Sequence, residues 1–242
     1  MIDLQRDGNI FTLTMNAGEN RWNTTFVRAF SEALDEIESS EGPAALVTTS
    51  SSPKFFSNGL DLDWIAAAKE GNDHPGGDRS VFGAEFMTVM SRIITLSVPT
   101  IAAINGHGFG AGFMAAMCHD VRIMREDRGF ICANEMQLGM QIPPPELALF
   151  KHKLPANVFF ESVQLARRWA GPQALAAGIV EQTASLETLL DVAKTRAEEL
   201  APLGANRAVF KAQKESIFGE NAAINEVHGA AWMLRNSDKY RH

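Results

Sequence analysis

The chain has 242 residues, 45% of them hydrophobic and 21% charged, with a formal net charge of −7. That length and composition suit a soluble globular protein with a core large enough to do without disulfide or metal staples, and the acidic balance excludes sequence-independent nucleic-acid binding. The N-terminus "MIDLQRDGNI" has no basic stretch followed by an apolar run, and no apolar segment approaches the roughly 20 residues of a membrane span. A cytoplasmic, non-membrane protein is therefore expected. Cys118 and Cys132 lack CxxC spacing and read as reduced core thiols.

In chain order, "IDLQRDGNIFTLTMN" predicts a hairpin about Asp7-Gly8. From Thr24, Phe26, Phe30, Leu34 and Ile37 recur at helical spacing, and "AALVTTS" (44–50) follows as a buried strand. "KFFSNGLDLDW" ends a short strand at Asn58-Gly59 and enters a helix near Asp61. Residues 69–80, "KEGNDHPGGDRS", predict a flexible surface loop. A helix bearing Phe82, Phe86, Val89 and Ile93 leads to the strand "TIAAI" and then to "NGHGFGAGFMAAMCHD". "VRIMRE" and "GFICAN" are further strands, and "EMQLGMQIPPPE" turns into helix. Beyond about Pro155 only helical patterns appear, such as "LETLLDVAKTRAEELA". This alternation predicts a mixed α/β core with largely parallel strands over 1–182 and a helical region over 183–242.

The glycines at 106, 108, 110 and 112 do not form a phosphate loop, because Phe113-Met114 stand where a Lys-Ser/Thr pair is needed. They do not form a dinucleotide fingerprint either, because Phe113 falls at its third glycine. What remains is a strand-turn-helix whose outward backbone N–H groups suit an anion or oxyanion, or whose glycines only permit close packing. "FFSNGLDL" is a second such turn, with Ser57, Asn58 and Asp61 available as ordinary caps. Two turns whose amides point at one spot would make an oxyanion hole. Glu135, between an apolar strand and a Leu-Gly turn, is either a solvated loop residue or a desolvated base of raised pKa. His107 and His119 flank the glycines, but GxSxG and HExxH patterns are absent.

Together, "KFFSNGLDL", "PTIAAINGHGFGAGFMAAMCHD", "NEMQLGMQIP" and "RRWAGPQALAAGIVEQ" resemble the crotonase (enoyl-CoA hydratase/isomerase) superfamily, in order and over essentially the whole chain. The resemblance implies an α/β fold of stacked ββα turns in a spiral core, followed by C-terminal helices that drive trimerisation, as a homotrimer or dimer of trimers. It implies an acyl-coenzyme A thioester substrate and no separate cofactor. It carries the oxyanion donors onto the backbone N–H groups of Leu60 and Ala111. It also assigns Ser57, Asn58, Asp61 and Gly110 to substrate binding. The family's C-terminal lysine contact to the coenzyme phosphate has no clear match here, and Arg21 or Lys54 is the candidate to supply that charge instead.

Hydratases of the superfamily carry two glutamates; here the first position is Met114 and the second is Glu135. One base suits moving a proton from C2 to C4. The resemblance therefore implies a Δ3,Δ2-enoyl-CoA isomerase with Glu135 as sole base, most similar to plant peroxisomal-type and related bacterial isomerases. The alternatives are a hydratase, a thioester hydrolase or a non-catalytic acyl-CoA-binding paralogue.

Overall fold

The structure is a computed structural model describing residues 1–67, 76–219 and 228–240. The expected hairpin is present as β1 (Ile2–Asp7) and β2 (Ile10–Met15), paired antiparallel with Ile2 opposite Met15 and Asp7 opposite Ile10. Helix α1 (Thr24–Ser39) starts at Asn23, whose side chain accepts from the Phe26 amide, satisfying one of the helix's free donors. Next come β3 (Ala45–Ser50), β4 (Phe55–Ser57), α2 (Leu62–Ala67) and α3 (Arg79–Ile94). Residues 69–75 of the loop expected over 69–80 lie outside the described residues; Asp78, near its end, caps α3 through the Ser80 amide.

The chain continues through β5 (Thr100–Ile104), β6 (His107–Phe109), α4 (Ala111–Met117), β7 (Val121–Arg125) and β8 (Ile131–Cys132). Helices α5 (Pro144–Lys153), α6 (Ala156–Val163) and α7 (Gly171–Ala176) follow. The last elements are β9 (Gln182–Ala184), α8 (Leu186–Leu200), α9 (Arg207–Phe218) and α10 (Ala230–Arg235). Strand β9 corrects the expectation of helix alone beyond Pro155. It extends the main sheet by pairing parallel to β7, with Ile123 opposite Gln182.

Two sheets result. The larger runs β1-β2-β3-β5-β7-β9 and is parallel except for the β1–β2 hairpin. Alternate residues along its strands go to opposite faces, as a two-residue period requires. Val47, Ile101, Ala103 and Ile123 pack with Leu189, Ala193 and Ala197 of α8. Leu46, Ala102, Ile104 and Met124 face the main core with α1, α3, α4 and α5, and Ala230, Ala231 and Leu234 of α10 join that same core. Cys118 and Cys132 are free and buried, in keeping with the thiol reading.

The smaller sheet, β4-β6-β8, is parallel throughout. This three-stranded unit positions the site. Its strands end together, so the segments that leave their carboxyl ends, Asn58–Leu60, Gly110–Ala111 and Asn134–Glu135, emerge at one edge. Ligands of parallel sheets bind at such carboxyl ends.

Candidate active site

The first turn is fixed by buried polar groups rather than by its own short sequence. Asn20 sits in the left-handed region at φ 52, a conformation asparagine tolerates better than most residues. Its side-chain amide donates to Ser50 Oγ at 2.7 Å and to the Phe56 carbonyl at 3.1 Å, and its Oδ1 accepts from the Ala17 amide at 2.9 Å. Ser57 Oγ donates to the Asn20 carbonyl at 2.7 Å, closing the network. Trp22 then bridges the turn: its amide donates to the Gly59 carbonyl and its carbonyl accepts from the Asp61 amide. Those bonds use the residues on either side of Leu60 and leave the Leu60 N–H outside the ladder.

The second turn lies against the first. Gly110 has φ 50 and ψ −118, a region open to glycine but strained for residues with a Cβ. Its amide donates to the Cys132 carbonyl at 2.9 Å, which ties this turn to β8. Ala111 opens α4, where N–H groups have no acceptor within the helix. A Cβ added to Gly59 would lie 3.7 Å from the Ala111 nitrogen. One added to Gly112 would overlap the Ser57 carbonyl oxygen and come within 2.9 Å of Ser57 Cβ. The glycines thus bring two backbones into direct contact, and Leu60 and Ala111 both line the same cavity.

Glu135 comes from the third segment, as the first residue of a 3-10 turn, Glu135–Leu138, closed by Gly139 at φ 69. Its Oε1 would be 3.0 Å from a Cβ on Gly110, so the carboxyl rests on the second turn. Its Oε2 is buried with no hydrogen-bond partner. Burial raises its pKa above the usual carboxylate range, against a smaller opposing effect of its own backbone amide. A carboxylate so placed is a stronger base than one in water.

These groups line an apolar cavity of about 290 Å³ with Asn58, Gly59, Phe82, Phe86, Met87, Phe109, Leu138, Met140 and Gln141. Among the expected site residues, the fold brings Asn58, Leu60, Gly110, Ala111 and Glu135 to this wall. Ser57 is buried and turned inward to Asn20. Asp61 caps α2, accepting from the Trp64 amide at 3.2 Å and from the Asn23 side chain at 3.1 Å. Arg21 pairs with Glu19 at 2.8 Å, and Lys54 lies 4.8 Å over the Phe55 ring. Met114 is fully buried in the main core.

One cavity residue was not visible to sequence reasoning. Glu146, in the first turn of α5, is only 6% exposed and lines the same cavity. Its Oε1 has no partner, and burial first, then the charge of Glu135, lifts its pKa well above the ordinary value. In sequence it reads as a helix-start acid after "IPPP", a position where glutamates favour the N-terminal turn from solvent. Only the packing of α5 against α4 and α10 takes it inside. No group of three metal-ligating side chains occurs among the described residues.

Residues 5–235 match the model of the enoyl-CoA hydratase/isomerase family. The chain belongs to that family. Over 244 residues it is 31% identical to the peroxisomal enoyl-CoA delta isomerase 1 of Arabidopsis thaliana, covering 98% of each chain. It is 30% identical to a carnitinyl-CoA dehydratase of Salmonella enteritidis, covering 88% of this chain and 81% of that one. A solved enoyl-CoA hydratase/isomerase family protein from Pseudomonas syringae shares the fold with a TM-score of 0.81 at 24% identity, over 98% of this chain and 96% of that one. The crotonase fold expected from the four motifs is therefore the fold of this enoyl-CoA hydratase/isomerase family member.

Proposed function

We propose that this family member moves the double bond of a 3-enoyl-CoA thioester to C2. The observation that carries this reading is the Glu135 carboxyl. It is buried, has a raised pKa and rests against the Gly110 turn, in the cavity that Leu60 and Ala111 also line. The thioester oxygen takes hydrogen bonds from those two amides, and Glu135 removes the proton from C2. The negative charge that spreads onto the thioester oxygen is met by donors already in place, the arrangement that stabilises such a transition state most. Asn58 and Gly110 border the thioester, while Phe82, Phe86 and Met87 receive the acyl chain.

Coenzyme A enters as part of the substrate and no separate cofactor takes part. Activity should therefore survive exhaustive dialysis against a chelator. We place the enzyme in the cytoplasm as a homotrimer or dimer of trimers, which light scattering of the purified chain tests. No helix among the described residues is long and apolar enough to cross a membrane; the plant relative's name places that relative in the peroxisome.

A second reading, hydration or dehydration of the acyl-CoA, is favoured by Glu146 as a second carboxyl in the cavity, and one relative is named as a dehydratase. Against it, Met114 occupies the first glutamate position of family hydratases. A spectrophotometric screen with 3-hexenoyl-, 3-decenoyl- and crotonyl-CoA separates the two. Conjugation of either 3-enoyl substrate supports isomerisation; turnover of crotonyl-CoA with neither 3-enoyl substrate touched refutes it.

A further inference from the structure

The isomerase reading leaves Glu146 unused. Its side chain is buried in the substrate cavity, one carboxyl oxygen lacks a partner, and Glu135 Oε2 in the same cavity lacks one too. Buried carboxyl oxygens without partners are costly, so both point to a group that arrives with the substrate.

The two acids enter the cavity from different elements, Glu135 from the 3-10 turn after β8 and Glu146 from the first turn of α5. Glu135 rests on Gly110. Glu146 directly follows Pro145 in sequence, and Pro143 and Pro145, with Gly83 and Met87, line a second cavity of about 220 Å³ that reaches Ser237 and Tyr240. Gly83, Met87 and Pro143 line both cavities. The cavity lined by Leu60, Ala111, Glu135 and Glu146 offers both carboxyl groups to an acyl chain anchored there by its thioester.

We propose that Glu146 is a second catalytic residue, the acid that protonates C4 while Glu135 deprotonates C2. The proposal rests on the isomerase reading. Glu135 takes the C2 proton, and the C2–H electron pair enters the dienolate held by the two amides. The dienolate collapses by forming a C4–H bond to the proton of the Glu146 carboxylic acid, and the double bond moves from C3=C4 to C2=C3. Glu146 is left as a carboxylate and Glu135 as an acid. A proton passing from Glu135 to Glu146, directly or through a water, restores the site, with no oxidant, reductant or other co-reactant. Burial and the neighbouring charge raise the Glu146 pKa well above the ordinary carboxyl value, which favours the protonated form this step uses.

The test is a single turnover of 3-hexenoyl-CoA in D2O by the full chain, with mass and NMR analysis of C4. The wild type should place solvent deuterium at C4, because the proton there never came from C2. Glu146→Gln should lower turnover by about 10²-fold or more, the range for one general acid, and its residual product should carry the substrate's own C2 hydrogen to C4. Wild-type product retaining that hydrogen overturns the proposal, as does a Glu146→Gln label pattern identical to wild type whatever its rate. A purely structural Glu146 would change the rate and not the label. If Glu146→Gln does not fold, Glu146→Asp keeps the carboxyl on a shorter arm and should lower the C4 deuterium content relative to wild type; an unaltered content overturns the proposal. Formation of 3-hydroxyacyl-CoA instead also overturns it, since the pair would then be handling water. Absence of any double-bond shift by the wild type marks failure of the isomerase reading, and this proposal falls with it.

Discussion

Adding one methyl group at Gly112 tests whether the two turns act as a unit. An alanine Cβ there would overlap the Ser57 carbonyl oxygen and sit 2.9 Å from both its carbonyl carbon and its Cβ. Carbon atoms pack best at about 3.5–4.0 Å, so the backbones must separate by roughly 1 Å. Ser57 leads into the Leu60 turn and Gly112 follows Ala111 directly, so that separation pulls the two amides apart. A 1 Å misplacement at a reacting centre costs on the order of 10² in rate, and loss of one oxyanion donor about 10²–10³. The expected fall in kcat/KM is therefore about 10²-fold, equivalent to roughly 2.7 kcal/mol. Overpacking alone should lower stability by about 1–3 kcal/mol. The assay is steady-state conversion of 3-hexenoyl-CoA beside urea unfolding. Gly108→Ala is the control, since its Cβ would meet the side-chain Ile131 Cγ2 at 3.3 Å and the Gly112 carbonyl oxygen only at an ordinary 3.6 Å, without overlapping Ser57. It should retain activity within about tenfold. Full activity in Gly112→Ala, with the protein folded, would refute the claim that this contact sets the oxyanion geometry.

Three further outcomes follow from the same structure. Asn20→Ala removes three hydrogen bonds, two of them buried, and takes from the Phe56 carbonyl its Asn20 donor, while Ser50 Oγ keeps its bonds to the Phe55 carbonyl and the Ser52 amide. It should cost roughly 3 kcal/mol in urea unfolding, at about 1 kcal/mol per bond, and lower activity in the fraction that folds. The acid limb of kcat/KM should lie above the ordinary carboxylate range, because Glu135 acts only when ionised and burial raises its pKa; a limb near pH 4 in a pH–rate profile contradicts this. His119 is held neutral by burial, with its ring nitrogens 2.8 Å from the Ala115 carbonyl and 2.9 Å from Thr48 Oγ1, and its pKa falls from 6.5 to about 4. The unfolded chain protonates this histidine first, so its contribution is full above pH 6.5 and lost as pH falls toward 4. The loss is roughly 3 kcal/mol, which denaturant melts of wild type and His119→Asn compared across that window would detect.

What was legible in the sequence was local. The hairpin, α1 and α3 announce themselves through turn residues and helical spacing of Phe26, Phe30 and Leu34 or Phe82, Phe86 and Val89, and each lies where those patterns place it. The alternation of strands and helices also held for the parallel core. Strand β9 did not show itself, because three residues, Gln182–Ala184, carry no period of their own and become a strand only by pairing with β7. The make-up of the candidate cavity was legible in the same proportion. Leu60, Ala111 and Glu135 lie in turns whose glycines mark close approach, and the small sheet gathers them. Glu146 was not legible, since burial of a helix-start acid is decided by what packs over it. Ser57 shows the converse: beside an exposed-looking turn, its hydroxyl serves Asn20, 37 positions away.

The central claim is that Glu135 is the base, and its direct test is Glu135→Gln assayed with 3-hexenoyl-CoA beside a titration with a non-reacting acyl-CoA. Glutamine keeps the shape and removes the base. The account predicts that double-bond migration falls by about 10²–10⁴-fold while acyl-CoA affinity stays within a few-fold of wild type. Migration at the wild-type rate in a folded, ligand-binding Glu135→Gln would contradict it.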